Sequence, residues 1–484
     1  MGERSERTLN FEVFLSKDNT RKYQFLRFIE ESTDLAAKSS LIQEKLGISN
    51  FLYDKTLGEL QNDFIEFNLD GFFELVTDKE QVQLNESQEA VSDLVLREYL
   101  NDSLDIAILL DLLKGNFQSI NDFANQHFIN YRIAYEKVKE VKKILASFGI
   151  GMNKNHQLTS SNQNIFFFFT KVTSFLFQED FSFYGQQIEE KINVISQKLK
   201  DQEIFIPLTR QRRLEHFLGV FFLLKDLKID QNKNKKTVLQ SLRKSFPGEE
   251  NCLKELELPI ELEDDIFSFL YLEGILTEST IEKNIIGKRI TRLNDRFISA
   301  FEKNFYQLDP QKEIVLFNEL NRLHFEMLYF PFRLFDGYDN IDISFFEETY
   351  TEYFLFCRKY LMDQSYIKKE GIIDYRNVLF LTYLLILVEN ISLSEVIEQI
   401  NVYIDFSFGQ KYNRFVANNL SIFSHLNVVT QDKLSEETDL VISNISELYH
   451  SNLIENIIWL DPPRPTDWAN LGKTLLQIRA KKFN

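Results

Sequence analysis

Apolar positions form a five-residue seam that occurs twice along the chain. The first seam comprises Tyr53, Leu57, Leu60, Phe64 and Phe67, spaced 4, 3, 4 and 3 residues apart. The second comprises Ala134, Val138, Val141, Leu145 and Phe148, and each member follows its counterpart by 81 positions (134 − 53 for the first pair). Because spacings of three and four residues place side chains on one face of an α-helix, each seam predicts an amphipathic helix.

A polar break and a shorter amphipathic stretch precede each of these two helices. The breaks contain the N-cap candidates Ser49 and Asn130, and the shorter stretches cover residues 36–46 and 119–128. A helix, a tight turn and a longer helix are the order of a helix-turn-helix, whose second helix enters a DNA groove. Two tandem copies make transcriptional regulation the leading hypothesis.

The flanking patterns extend each copy into a winged unit. In the first, residues 20–31 predict a leading helix, and residues 72–76 and 81–84 predict a β-hairpin, the wing. In the second, residues 91–100 and 104–113 are helical by pattern, and residues 150–158 predict another wing. We therefore expect winged helix-turn-helix units at residues 1–84 and 85–160.

The remainder of the chain changes pattern once more. Residues 161–400 are almost wholly helical, and the pair His216-Phe217 recurs 108 positions later (324 − 216) as His324-Phe325. This faint duplication predicts two all-helical regulatory domains, at residues 161–290 and 291–400. Strands alternate with helices in residues 401–484, which predicts a small α/β domain with a parallel sheet. The expected fold is mostly α and multidomain.

Composition fits this organisation and limits the partners. Gly (16) and Pro (8) are scarce among 484 residues, as in proteins of long helices, and the net charge of −18 argues against a protein that coats nucleic acid nonspecifically. Cys252 and Cys357 show no disulfide or metal spacing. The apolar runs 165–177 and 378–388 are shorter than the ~20 residues that span a bilayer. We expect a cytoplasmic protein without membrane contact.

The two recognition-helix candidates differ in charge. Residues 50–67 carry a net charge of −3, whereas residues 131–148 carry +3. Since phosphate contact rewards positive charge, the second unit is the expected main reader. Its DNA-binding candidates are Asn130, Arg132, Tyr135, Lys139, Lys142, Lys143 and Lys154. The first unit offers Arg21, Lys22, Lys38 and Lys55. The alternative is a solvated basic face in the second unit and a packing or dimerisation helix in the first.

With these parts in order, the chain resembles the Mga/AtxA family of bacterial transcription regulators, in particular its MafR-like members. The resemblance covers the whole length in architecture. It implies two winged helix-turn-helix domains, two phosphotransferase-system regulation domains and a C-terminal domain like the EIIB component of sugar phosphotransferases. It also implies control by phosphocarrier proteins of that system, which phosphorylate histidines in the regulation domains.

The phosphorylation motifs of the family are altered in this chain. Arg212 and Leu384 stand where the phosphorylated histidines would be, so His216 and His324 are the remaining candidates. Arg212 and Arg213 beside His216 could bind its phosphate or form surface charge. The loop at residues 406–410 lacks the cysteine of active EIIB enzymes. The C-terminal region is therefore expected to hold a homodimer together.

Enzymatic chemistry finds little support in the sequence. Gly472-Lys473-Thr474 ends like a phosphate-binding loop, but Asp467 stands where the first glycine is needed. We expect no catalytic residues, no metal and no cofactor. The leading hypothesis is a regulator that binds double-stranded DNA. The alternatives are an interaction scaffold without strong DNA binding and an RNA-binding antiterminator.

Overall fold

A computed structural model gives the structure of the protein and divides it into two compact units, Met1–Thr277 and Glu278–Asn484. The described residues are 9–78, 80–87, 91–159, 162–224, 239–246, 248, 253–254, 258, 260–276, 287–330, 343–363, 375–445, 454–459 and 463–483. Cys357 is buried, and Cys252 lies outside these residues. None of the helices in the described ranges is long and apolar enough to cross a membrane.

The first winged unit has the predicted helices and wing. Its helices are α1 (Lys17–Glu30), α2 (Ser39–Leu46) and α3 (Asn50–Glu66). Strands β2 (Phe73–Thr77) and β3 (Gln81–Glu86) form the antiparallel hairpin. The predicted hairpin and the predicted helix over residues 50–67 are thus confirmed as elements of structure.

One strand of this unit was not expected. Residues 36–38, which the pattern assigns to the start of a helix, form strand β1 (Ala36–Lys38), antiparallel to β3. Asp34 and Leu35 have φ of 60° and 52°, and this left-handed turn directs the chain along the wing. The sheet order is β1-β3-β2. Helix α2 therefore begins three residues later than predicted.

The second winged unit follows the same plan. Its helices are α4 (Asp93–Asn101), α5 (Leu104–Lys114), α6 (Ile120–Gln126) and α7 (Tyr131–Ser147). The wing consists of β4 (Gly151–Met152) and β5 (Leu158–Thr159), which pair antiparallel. A Cβ at Gly151 would lie 2.5 Å from the Thr159 hydroxyl, so glycine permits this close pairing. The predicted second wing is confirmed, with two residues in each strand.

The 81-residue repeat extends to individual backbone hydrogen bonds in the turns. The amide of Ile48 donates to the carbonyl of Gln43, and the amide of Ile129 donates to that of Ala124, both at 3.0 Å. These bonds close the turn between the two helices of each helix-turn-helix in the same way. The two turns therefore share one geometry despite their different residues.

The predicted N-caps also occupy equivalent places. The side chain of Ser49 accepts a hydrogen bond from the amide of Leu52 at 3.3 Å. The side chain of Asn130 accepts one from the amide of Ile133 at 2.9 Å. Each cap satisfies an amide that the first helical turn leaves without a partner, so it fixes where α3 and α7 begin.

Aromatic side chains form the core of the helical part that follows the winged units in the compact unit Met1–Thr277. This part includes α8 (Asn162–Phe177), α9 (Gln186–Asp201), α10 (Leu208–Leu224) and α11 (Ile260–Leu272). Phe217 on α10 lies between Phe166 on α8 and Phe269 on α11, with each pair of ring centroids 6.2 Å apart. Such tilted aromatic pairs pack these helices together.

The second unit begins with a helical part built around another aromatic cluster. Its helices are α12 (Lys288–Asn304), α13 (Pro310–Tyr329), α14 (Ser344–Thr349), α15 (Thr351–Tyr360) and α16 (Arg376–Asn390). Phe297 of α12 stacks on Tyr383 of α16 at 4.4 Å and meets Phe356 of α15 at 5.6 Å. The expectation of a helical region is confirmed for the described residues.

The C-terminal part is a small α/β domain. Strands β6 (Ile400–Asp405), β7 (Val428–Gln431), β8 (Leu440–Ser443) and β9 (Glu455–Ile458) pair in the order β7-β6-β8-β9, all parallel. Helices α17 (Gln410–Asn419) and α18 (Pro465–Phe483) accompany the sheet. Arg479 of α18 forms a buried ion pair with Glu352 of α15, which ties this domain to the helical part. The predicted parallel sheet and mostly α fold are confirmed.

Candidate nucleic-acid interface

Helix α7 has one buried face and one exposed face. All five seam residues are buried: Ala134, Val138, Val141, Leu145 and Phe148. Four cationic side chains lie outside the seam and are exposed: Arg132, Lys139, Lys142 and Lys143. We call these four residues the basic face of α7. Their exposure follows from the helical period, because positions between seam residues point away from the core.

One lysine of α7 is paired with a buried carboxylate instead. Lys137 Nζ lies 2.9 Å from a carboxylate oxygen of Asp105 on α5 and 2.9 Å from one of Glu140. The Asp105 carboxylate is buried, and this burial raises its pKa, although the bonded Lys137 ammonium opposes the shift. Lys137 therefore fixes α7 on α5, and the exposed positive charge comes from the basic face.

The basic face is largely unpaired. Lys139 Nζ lies 3.8 Å from Glu136, a loose contact between exposed groups. Within the described part of the chain, Arg132, Lys142 and Lys143 form no ion pair. Exposed lysines and arginines without a protein partner retain their hydration and counterions until an anion replaces them. The face is thus available to phosphate groups.

The remaining candidates of the second unit have different places. Asn130 is exposed, but its side-chain oxygen is bound to the helix start, so it positions α7. Tyr135 is exposed and stacks on Tyr131 with ring centroids 6.4 Å apart. Lys154 is exposed at the tip of the second wing. There the Asn153 side chain accepts hydrogen bonds from the amides of residues 155 and 157 and shapes the turn.

The candidates of the first unit are mostly engaged with acidic groups. Lys55 Nζ lies 3.5 Å from Glu59 on the same helix. Arg21 bonds to Asp18 at 2.6 Å, to Glu59 at 3.2 Å and to the Thr56 hydroxyl at 2.8 Å. Arg21 is thus a tie between α1 and α3 and not a free cation. Its predicted role at DNA is not supported by this position.

Lys22 and Lys38 have opposite environments. Lys22 is buried, with its ammonium group 2.5 Å from Asp63 and 4.5 Å from the centre of the Tyr99 ring. The structure places it inside the protein, where it cannot reach a phosphate, so its expected DNA contact is corrected. Lys38, at the end of β1, is exposed. Of the four candidates in the first winged unit, Lys38 is the one for which the described residues show no ion pair.

The two winged units are joined through this same cluster. Tyr99 of α4 donates a hydrogen bond to Asp63 of α3, and Tyr23 of α1 donates one to Asp93 of α4 at 3.0 Å. Burial, followed by the neighbouring Asp63, raises the pKa of Tyr99, so the phenol remains a donor. These two hydrogen bonds connect α4 to α1 and α3 of the first winged unit.

His216 is buried and both of its ring nitrogens have partners. Nε2 lies 2.9 Å from the carbonyl oxygen of Gln178, and Nδ1 lies 2.9 Å from the hydroxyl of Tyr184. Since a carbonyl only accepts, Nε2 carries the proton and Nδ1 accepts from Tyr184. Burial lowers the pKa of His216 to about 4. The nearby Arg212 pairs with Glu179 and Glu215.

His324 has an equivalent environment in the second compact unit, Glu278–Asn484. Nδ1 lies 2.5 Å from the side-chain oxygen of Asn294, and Nε2 lies 2.7 Å from the hydroxyl of Tyr383. Burial lowers the pKa of His324 to about 3. In both histidines one nitrogen donates to an oxygen and the other accepts from a tyrosine. Both ring nitrogens of each histidine are therefore occupied by hydrogen bonds.

The arginines near His216 have other partners as well. Arg213 bonds to Glu273 at 3.0 Å, and Arg210 lies 3.5 Å from the same carboxylate. These ion pairs hold α10 against the end of α11. Arg212 and Arg213, which could have bound a phosphate or formed surface charge, are thus paired with protein carboxylates. No group of three or more His, Cys, Asp or Glu in the described ranges could hold a metal ion.

The sequence patterns assigned no role to several exposed apolar side chains near α7. Phe128 in the turn is 96% exposed, and Tyr131 and Ile133 at the start of α7 are also exposed. The signal was present in the repeat, because Gly47 stands at the position equivalent to Phe128. Folding alone does not explain a large aromatic residue at a turn position where the other copy has glycine.

The comparison with protein families identifies the same segment. Residues 88–173 match the family model described as the Mga helix-turn-helix domain. The matched range includes α4 to α7, the second wing and most of α8, and so contains the basic face of α7. The comparison with curated proteins found no match. Residues 88–173 are thus similar to a helix-turn-helix domain of the Mga type, and the similarity covers the second winged unit and most of α8.

Proposed function

We propose that the protein is a DNA-binding transcription regulator of the Mga type, with the second winged unit as its main reader. One observation carries the proposal: the basic face of α7 is exposed within the segment that matches the Mga helix-turn-helix domain. The N-terminal end of such a helix approaches base edges, and its flanks contact phosphates. Arg132 is suited to the bases, and Lys139, Lys142 and Lys143 to the backbone.

The charge distribution supports duplex DNA as the partner despite the acidic whole. The net charge of −18 repels nucleic acid at long range, so affinity requires a local cationic surface. The basic face of α7 and Lys154 on the adjacent wing provide it. The first unit, whose Arg21 and Lys22 are paired internally, would assist mainly by holding the second in place.

A gel-shift titration of the full chain across salt concentrations tests the proposal. Duplex DNA and a structured RNA of equal length serve as probes. We expect DNA binding whose affinity falls steeply with salt, since each phosphate contact adds about −0.9 to the logarithmic slope. Stronger binding to the RNA would favour an antiterminator. Absence of binding to either would favour an interaction scaffold and contradict the proposal.

A homodimer through the C-terminal domain is the second part of the proposal. Phe408, Tyr412 and Phe415 form an aromatic row in which neighbouring rings lie 5.4 and 5.9 Å apart. The side chains of Phe408 and Phe415 are about half exposed. Such apolar surface favours association with a second copy, and a dimer would offer four winged units to the DNA.

Sedimentation of the full chain tests this part. Replacing Phe408 and Phe415 together with Ser is expected to shift the protein to a monomer at the same concentration. The control is Phe205→Ala, which removes an exposed aromatic residue from the compact unit Met1–Thr277. It should leave the oligomeric state unchanged. A dimer in the double variant would place the interface elsewhere.

The two candidate phosphorylation sites lie inside the folded protein. His216 and His324 are buried, and both nitrogens of each ring are hydrogen-bonded. A phosphocarrier protein would have to open the helical cores to reach them. We therefore propose that the two histidines stabilise their domains, and we do not propose phosphocarrier proteins as partners.

A further inference from the structure

Phe128 occupies the turn of the second helix-turn-helix in an unfavourable way on two counts. Its φ is 53°, in the left-handed region that residues with a Cβ rarely adopt. Its side chain is also 96% exposed, so no apolar contact offsets the strained backbone. In the first unit Gly47 takes the equivalent position with φ of 63°. The fold alone therefore favours glycine at residue 128.

The surroundings of Phe128 indicate what covers it. Tyr131 and Ile133 lie at the start of α7 with exposed side chains, and Tyr135 follows one helical turn later. Arg132 lies among them and is exposed. We call Phe128, Tyr131, Ile133 and Tyr135 the apolar end of α7. Because this end is continuous with the basic face of α7, its occupant has to be an anion that also presents apolar groups.

Duplex DNA meets both requirements in its major groove. Phosphates line the groove, and thymine exposes a C5-methyl group at its floor, which aromatic and aliphatic side chains contact. We infer that Phe128 is a specificity-determining residue whose ring contacts thymine methyl groups while the basic face of α7 holds the flanking phosphates. This inference rests on the proposed function, since it adds a base contact to the same interface.

The first unit supports the assignment by contrast. Its turn carries Gly47, and its recognition helix has Asp54 where the second has Tyr135. Lys55, at the position equivalent to Glu136, is paired with Glu59. The unit whose recognition helix is acidic, with a net charge of −3, also lacks the aromatic turn residue. The first winged unit also exposes an aromatic residue, Phe51 at the start of α3, so the feature particular to the second unit is an aromatic turn residue beside a basic helix.

Two DNA probes of identical sequence test the inference. One is a duplex of several helical turns with mixed base composition, and the other has every thymine replaced by uracil, which removes only the methyl groups. The wild-type full chain should bind the uracil duplex roughly fourfold more weakly for each methyl group that the protein would otherwise bury. Phe128→Gly should bind the thymine duplex about tenfold more weakly than the wild type and should not distinguish the two duplexes.

Thermal unfolding separates this role from a structural one. Phe128→Gly is expected to raise the unfolding midpoint, because glycine adopts positive φ without a steric clash. If the variant is more stable and yet binds DNA more weakly, the phenylalanine ring touches DNA in the wild-type complex. Phe205→Ala is the matched control, since it also removes an exposed aromatic ring, and it should keep the affinity and the thymine preference.

The outcomes distinguish this inference from the proposed function. If the wild type binds DNA and Arg132→Ala weakens binding but Phe128→Gly does not, the function stands and the inference fails. If Phe128→Gly keeps the preference for thymine, the methyl contact belongs to another residue and the inference also fails. If the wild type binds neither duplex, both fail.

Discussion

The ammonium group of Lys22 lies 2.5 Å from a carboxylate oxygen of Asp63, and both side chains are largely withdrawn from water. Asp63 also accepts a hydrogen bond from the hydroxyl of Tyr99, and Lys22 lies over the ring of the same tyrosine. The pair therefore connects α1 and α3 of the first winged unit with α4 of the second. A lysine that sequence reasoning assigned to DNA instead holds the two units together.

Breaking this pair should destabilise the protein without a direct effect on DNA contacts. Lys22→Ala leaves the Asp63 carboxylate without its ammonium partner, and removing one member of a buried ion pair lowers the free energy of unfolding by on the order of 3 kcal/mol. Urea denaturation measures the loss. The salt slope of DNA binding, measured where the variant is folded, should equal that of the wild type. A lower slope would show that Lys22 contacts phosphate.

Two lysines on one helix should behave in opposite ways. Lys142→Ala removes an exposed cation of the basic face, so the salt slope of DNA binding should fall by about 1 while the stability is retained. Lys137→Ala leaves Asp105 buried and unpaired, so it should lower the free energy of unfolding by on the order of 3 kcal/mol. Its effect on the slope should be small. Equal slopes for Lys142→Ala and the wild type would remove Lys142 from the interface.

The buried state of His216 predicts a pH dependence with a definite sign. Its pKa is about 4 in the folded protein and 6.5 in an unfolded chain, so the unfolded state binds more protons between these values. The contribution of the neutral imidazole to stability is complete above pH 6.5 and decreases as the pH falls toward 4. At its steepest the change is about 1.4 kcal/mol per pH unit.

Urea denaturation at several pH values, with His216→Gln as the reference, measures this contribution. Other groups titrate equally in both proteins, so the difference in the free energy of unfolding isolates His216. The free energy of unfolding of the wild type should fall relative to that of His216→Gln as the pH decreases from 6.5. A difference that stays constant across this range would mean that His216 is exposed or already protonated in the folded state.

Phosphoryl transfer to the histidines is expected to fail. We predict no acid-labile phosphate on His216 or His324 after incubation of the folded full chain with phosphoenolpyruvate and the general phosphotransferase proteins, because both rings are buried. The control is a sample that is partly unfolded in urea and freed of urea before the assay. It shows whether irreversible opening of the helical domains exposes the histidines. Labelling of either residue in the native protein would show that the helical domains open readily and would restore the phosphorylation hypothesis.

The sequence predicts the helices of this protein better than it predicts the contacts between distant segments of the chain. The positions of α3 and α7 follow from the seams and from the caps Ser49 and Asn130, because helical periodicity and capping are local. Strand β1 was not expected, since it depends on pairing with β3, more than 40 residues later. The burial of Lys22 depends in the same way on Asp63, 41 residues away. Contacts between distant segments leave no periodic pattern.

The candidate site shows the same division. Helical period places Arg132, Lys139, Lys142 and Lys143 outside the seam, and the structure exposes all four. The charge count of α7 did not separate Lys137 from them, because its partner Asp105 lies on another helix. For the histidines, no local pattern pointed to Tyr184 or Tyr383, whose hydroxyl groups occupy the ring nitrogens.

In the proposed function, the second winged unit contributes most of the DNA affinity. The most direct measurement compares two double variants of the full chain in the same gel-shift titration. Arg132→Ala with Lys139→Ala removes two exposed cations of α7, and Lys38→Ala with Lys55→Ala removes two from the first unit. We predict a loss of about tenfold or more for the first pair and little change for the second. Equal losses from the two pairs would show that the two winged units contribute equally to DNA binding.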